Sequence, residues 1–226
     1  MPVLPSPRRL YCGPVTSARE RADDRIEFVL FDLGGVLVDV GGVSQMRTLA
    51  HIDSDDELWE RWLTSPWVRH FERGHCSADD FAVGMVTEWH LDLTPEEFLD
   101  NMSGWMTGPM PGVAALLEET RKRVPIACLS NINAMHWDRL CAEGDAFDAF
   151  AHRFLSFEIG MVKPDVEFFD YIGATLAVPR HQILFLDDNS LNVNAAEACG
   201  FSAQRVQGVD QARAALIDAG VLVGGA

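Results

Sequence analysis

Positive charge is scarce in this chain of 226 residues, where 18 Lys and Arg stand against 34 Asp and Glu for a formal net charge of −16. A chain so charged repels phosphate backbones and anionic lipid surfaces, which makes nucleic acid and acidic membranes poor partners. Long apolar runs are missing too, none approaching the roughly 18 to 20 residues of a membrane span. The opening MPVLPSPRRLYCG carries Pro and Arg where a signal peptide needs an unbroken apolar segment, so a cytoplasmic protein is expected. Five cysteines (Cys12, Cys76, Cys128, Cys141 and Cys199) show neither a disulfide framework nor CxxC metal spacing and read as reduced thiols. There is no internal repeat, and the glycine pairs Gly34-Gly35 and Gly41-Gly42 do not form a GxGxxG nucleotide fingerprint. What is present, 48% hydrophobic and 23% charged residues, suffices to bury a full core over roughly one to one and a half domains.

Residues 1–25 hold four prolines, five arginines and no periodicity, as expected of a flexible leader. At Phe28-Val29-Leu30-Phe31 the text changes to a short apolar run ending at Asp32 and a glycine pair, the pattern of a buried parallel strand that stops at a turn. Similar runs recur at Pro125–Ser130 and Gln182–Asp187, with weaker ones at His152–Ser156 and Ser202–Val206. Helical patterns separate them, through Leu116-Leu117, through Phe168, Phe169 and Ile172, and through Leu191, Ala195 and Ala198. This alternation predicts an α/β fold with a Rossmann-like parallel sheet over residues 26–41 and 109–226. Across 42–108 the strand signal disappears, and Leu58, Trp62, Phe81, Met85, Trp89, Phe98 and Met102 recur at helical spacing, as in a helical insert. Five of the six tryptophans fall there, as suits a small unit that needs large side chains to fill its core. Ser77 with Asp80 and Thr94 with Glu97 fit helix-opening capping boxes.

In an open parallel sheet, ligands gather beyond the carboxyl ends of the strands. The residues at those ends are Asp32, Ser130 with Asn131, and Asp187 with Asp188. Carboxylates converging on one rim repel each other unless a cation sits among them, and an all-oxygen donor set suits Mg²⁺. Lys163, just ahead of a helix that Pro164 and Asp165 would start, can neutralise an anionic substrate and keep a nucleophilic carboxylate charged. Singly, each of these residues is more often a cap or a turn former. In this order, at successive strand ends, they compose a phosphoryl-transfer site in which Asp attacks phosphorus.

The segments Phe31-Asp32-Leu33-Gly34-Gly35-Val36-Leu37, Leu129-Ser130-Asn131, Lys163-Pro164 and Phe185-Leu186-Asp187-Asp188-Asn189 resemble the four motifs of the haloacid dehalogenase-like hydrolase superfamily. The insert at 42–108 is similar to that superfamily's C1 helical cap, and the wording around the motifs resembles the branch that includes α-D-glucose-1-phosphate phosphatase. The resemblance implies a Mg²⁺-dependent phosphatase of small phosphorylated metabolites, acting as a monomer or homodimer. It implies Asp32 as nucleophile and metal ligand, Gly34 as carbonyl donor to Mg²⁺, and Asp187 and Asp188 as further metal residues. Ser130, Asn131 and Gly35 would bind the phosphoryl group, and Lys163 would be catalytic by neutralising charge.

One departure stands out. Most phosphatases of the superfamily carry a second Asp two residues after the nucleophile as general acid and base, and here that position is Gly34. Glycine moves no protons, so a step typically worth about 10² to 10⁴-fold has no visible agent. His136, Asp39 and solvent are the candidate substitutes. The same glycine supports two rival readings, a non-catalytic phosphate-binding or regulatory module and a metal-free 2-haloacid dehalogenase; the Asp187-Asp188 pair argues against the latter. In the insert, Trp67, Glu72, Arg73 and His75 are candidates for substrate contact, although Phe71-Glu72-Arg73-Gly74 also reads as an ordinary helix end.

Overall fold

The computed structural model describes residues 25–142 and 144–224, so the expected leader lies, Arg25 aside, outside the described residues. The elements run β1 (Phe28–Phe31), β2 (Val38–Val40), α1 (Val43–Ala50), α2 (Asp55–Thr64), α3 (Pro66–Glu72), α4 (Ala78–Trp89), α5 (Pro95–Ser103) and β3 (Met106–Pro109). There follow α6 (Val113–Arg121), β4 (Ile126–Ser130), α7 (Ala134–Ala142), β5 (His152–Leu155), α8 (Ser156–Ile159), α9 (Val166–Leu176), β6 (Ile183–Asp187), α10 (Ser190–Ala198), β7 (Ser202–Arg205) and α11 (Gly208–Asp218).

Five strands form one parallel sheet in the order β5-β4-β1-β6-β7. The expected Rossmann-like α/β fold is therefore the one observed. Parallel neighbours need crossover connections, and the helices supplied by those crossovers cover both faces. Alternate strand residues divide between two apolar clusters. Val29, Phe31, Ile126 and Leu186 pack with Leu116 of α6, Trp137 of α7 and Leu216 of α11. Phe28, Leu30, Leu129 and Phe185 pack with Phe168, Phe169 and Ile172 of α9. The chain leaves β1 for β4 on one side and reaches β6 on the other, so the strand order reverses at β1 and opens a crevice at its carboxyl end.

Helices α1 to α5 enclose a separate apolar cluster that includes Met46, Trp62, Phe81, Met85, Trp89, Phe98, Met102 and Trp105. Ser54, Ser65, Ser77 and Thr94 each accept a hydrogen bond from the backbone N–H three residues on, and Thr94 with Glu97 completes a full capping box. The stretch 42–108 is not wholly helical, as the sequence led us to expect. Met106–Pro109 is a strand, antiparallel to β2, so the chain entering the helical stretch is hydrogen-bonded to the chain leaving it. Thr-Gly-Pro within four residues reads as a turn in sequence, and Pro109 is tolerated because this ribbon has only two strands. A second difference concerns α10, whose buried face is Asn192, Val193 and Ala196 while Leu191 is exposed. Among the described residues, no helix is long and apolar enough to cross a membrane.

Leu30 is completely buried at the centre of the sheet. Leu30→Ala should lower the unfolding free energy by about 2 to 5 kcal/mol, read from the urea midpoint at unchanged slope.

Candidate active site

The sheet delivers its polar residues to one rim. Asp32 follows β1, Ser130 ends β4 and Asp187 ends β6, with Asp188 next to it. Lys163 lies between α8 and α9 and is 1% exposed, a depth an ammonium tolerates only when paired. Its Nζ stands 3.0 Å from Asp32 Oδ1 and 2.6 Å from Asp187 Oδ2. Burial pulls the Lys163 pKa down, but the Asp187 and Asp32 carboxylates outweigh burial and hold it above the ordinary lysine range. Asp32 Oδ1 also accepts from the Leu33 N–H at 2.7 Å. Burial, joined by repulsion from Asp187 and Asp188 and only partly offset by Lys163, pushes the Asp32 carboxyl up to about 8. Burial and Asp187 likewise raise Asp188 to about 6.

The two neighbouring aspartates differ in their surroundings. Asp187 is fully enclosed and its oxygens are taken up by Lys163 Nζ, the Asn189 N–H at 2.8 Å and Asn192 Nδ2 at 3.1 Å. This is why Asn192 turns inward on α10. Among the described residues none forms a salt bridge with Asp188. Gly35 lies against that carboxylate with φ +70°, and a Cβ there would come within 2.3 Å of Asp188 Oδ2. Oxygens of Asp32, Asp187 and Asp188 all lie within 4.8 Å of one another. A trio of hard anionic donors at that spacing, with two of its carboxyls raised by burial first and by carboxylate neighbours second, fits a small divalent cation such as Mg²⁺. Gly34 is half-buried in the turn between Asp32 and Gly35.

Ser130 is 2% exposed at the end of β4. The Asn131 side chain is occupied, donating to the Lys163 carbonyl at 2.9 Å and accepting from the Lys163 N–H at 2.8 Å. Any contact of Asn131 with a bound anion therefore falls to its backbone; its amide serves to position Lys163. Next to it, the Ser156 hydroxyl accepts from the Ile132 N–H and donates to the Ile132 carbonyl, both at 2.9 Å. The loops after β4 and α8 are thus locked together.

Of the candidate proton carriers, Asp39 is exposed on β2. His136 is buried with both ring nitrogens engaged, by Asn133 Nδ2 at 3.1 Å and the Met102 carbonyl at 2.8 Å. That pairing makes it a neutral packing histidine protonated on Nε2, and burial lowers its pKa further.

The insert meets this rim through α3. Arg69 and Arg73 both grip Asp165, at 2.6 and 2.5 Å, two residues beyond Lys163. The partner of Arg73 lies 92 positions away in sequence. Gly74, at φ +70°, ends the helix as expected and touches the sheet domain, since a Cβ there would meet the Phe157 carbonyl oxygen at 2.6 Å. Between the two arginines, Glu72 is buried and accepts from Trp62 Nε1 at 3.2 Å. Burial raises its carboxyl to about 7 against pulls from Trp62, Lys163 and Arg69. Trp67 and His75 are exposed.

Residues 26–200 match the haloacid dehalogenase-like hydrolase family. The chain belongs to that family. A relative in Bacteroides thetaiotaomicron, a D-ribitol-5-phosphate phosphatase, is 28% identical over 185 residues, covering 78% of this chain and 89% of the relative. The (S)-2-haloacid dehalogenase H-109 of Pseudomonas putida is 26% identical over 186 residues, covering 78% of this chain and 83% of that one. In fold, this haloacid dehalogenase-like hydrolase is similar to a family enzyme of Bacteroides thetaiotaomicron solved with magnesium and inorganic phosphate, at a TM-score of 0.63 and 21% identity, over 80% of this chain and 94% of that one.

The raised Glu72 carboxyl has a thermodynamic consequence. Its ordinary value is 4.5 and its folded value about 7, so between these limits the folded state keeps a proton that the unfolded state has lost, and stability falls as pH rises. Glu72→Gln removes this loss. Unfolding in urea should find the variant equal to wild type below pH 4.5 and more stable by about 2 to 4 kcal/mol above pH 7.

Proposed function

We propose that this hydrolase is a Mg²⁺-dependent phosphatase of small phosphorylated metabolites, sugar and alditol phosphates among them, working through an aspartyl-phosphate on Asp32. The observation that carries this reading is the Asp188 carboxylate, placed beside Asp32 without a salt bridge. Asp187 alone would not discriminate, because Lys163 and Asn192 satisfy it without any ion. A metal-free dehalogenase has no use for a second, unneutralised carboxylate at the nucleophile. The phosphatase relative supports the same choice.

Asp32, Asp188 and the Gly34 carbonyl would hold the ion, with Asp187 behind them, and the ion would supply charge neutralisation for substrate and nucleophile alike. Lys163 favours the anionic form of Asp32 against the effect of burial and opposes the negative charge of the phosphoryl group. The Ser130 hydroxyl and the Asn131 backbone N–H orient the phosphoryl oxygens; Gly35, which the sequence also offered for this, instead gives its N–H to the Val38 carbonyl at 2.9 Å and makes room for the Asp188 carboxylate. Asp32 attacks phosphorus and the alcohol departs; water then attacks the acyl phosphate and releases inorganic phosphate, restoring Asp32. The insert acts as a cap that decides which alcohol reaches the rim.

Hydrolysis of a panel of sugar and alditol phosphates should require added Mg²⁺ and stop with excess EDTA. Asp32→Asn should lower kcat by about 10⁴-fold or more. A phosphate ester bound in calorimetry without turnover would favour the regulatory reading. Chloride release from 2-chloropropionate in EDTA would favour dehalogenation; none is expected.

A further inference from the structure

Gly34 leaves the departing alcohol without a visible proton donor, and the structure narrows the replacements. His136 has both nitrogens engaged, Asp39 stands exposed on the ribbon, and His75 is exposed. Glu72 is different in kind. It comes from the insert on the last turn of α3, the helix that Arg69 and Arg73 clamp to Asp165 and that Gly74 seats on the Phe157 carbonyl. On α3 it lies between Arg69 and Arg73, whose common partner Asp165 is two residues beyond Lys163, and the Lys163 charge acts on it. The charges that act on it are that lysine and Arg69. One of its oxygens, Oε1, accepts from Trp62 Nε1 at 3.2 Å.

We propose that the Glu72 carboxyl, carried to the rim by the insert, is the acid that protonates the departing alcohol oxygen and the base that later deprotonates the attacking water. The assignment rests on the phosphatase reading above. As an Asp32 oxygen bonds to phosphorus, the bridging P–O bond breaks with its electron pair on the alcohol oxygen, and the Glu72 proton moves to that oxygen. In the second half, a water oxygen bonds to phosphorus, the P–O bond to Asp32 breaks, and the water's proton passes to Glu72. The products are the alcohol and inorganic phosphate, with Asp32 and Glu72 restored. A carboxyl raised to about 7 suits both duties, since acid and base forms coexist near neutrality.

The test compares kcat/KM, which reports the steps through release of the alcohol, for two esters. The leaving group of p-nitrophenyl phosphate is stable unprotonated; that of an alditol phosphate is not. Glu72→Gln should lower the alditol phosphate value on the order of 10² to 10⁴-fold and erase its alkaline pH limb, while changing the p-nitrophenyl value less than about tenfold. Equal losses for both esters in a variant that still unfolds cooperatively would assign Glu72 to structure and overturn the proposal, as would wild-type rates on both. Should Glu72→Gln not fold, Trp62→Phe carries the test. It keeps the carboxyl but removes the hydrogen bond that lowers its pKa, so the alkaline limb of the alditol phosphate should move to higher pH, and an unmoved limb overturns the proposal. Loss of activity in Asp32→Asn alongside wild-type rates in Glu72→Gln leaves the phosphatase standing without this role. Failure of wild type to hydrolyse either ester removes both.

Discussion

The ammonium of Lys163 ties this molecule together. It is enclosed between Asp32 and Asp187, which arrive on adjacent strands of the sheet, while the ammonium itself arrives on a loop locked to the end of a third strand through Asn131. Removing one partner from such an enclosed pair strands a charge, at a cost of about 3 to 5 kcal/mol, so the three positions hold one another in place. Asp187 is the anchor of this arrangement and Asp188 its open face. A single positive charge among three carboxylates leaves the rim electron-rich, and that repulsion adds to burial in raising the Asp32 and Asp188 carboxyls. An arriving phosphate ester would add to it, and on the proposed reading a bound cation would offset the sum.

The sheet was readable because fully buried parallel strands leave uninterrupted apolar runs, and each run ends in the polar residue that the rim uses. Phe28–Phe31 and Ile183–Asp187 are of this kind. Met106–Pro109 is not, since its partner is one short strand, and Gly and Pro at its end imitate a turn. The burial of Asn192 was hidden for another reason. An Asn inside a helical pattern reads as solvent-facing until the buried Asp187 five residues earlier is seen to need donors. Asp165 read as a helix opener because its two arginine partners are 92 and 96 positions away, beyond any local pattern.

Glu72 shows most clearly where sequence runs out. The text Phe-Glu-Arg-Gly describes a helix end correctly, and Gly74 does end one. What the text does not contain is enclosure. The carboxyl is moved to a useful pKa by the loss of water around it and by a tryptophan ten positions earlier, both of which exist only once the insert has packed.

The ribbon of β2 and β3 sets how this protein can change. Because the two crossings between sheet and helices lie side by side and are zipped to each other, everything between them is a closed excursion whose ends stay fixed whatever its contents. Lengthening such an excursion carries only a logarithmic entropic penalty. Evolution, or an engineer, can therefore recut the sixty-odd residues between Val40 and Met106 to admit a different alcohol while the carboxylates beneath keep their register.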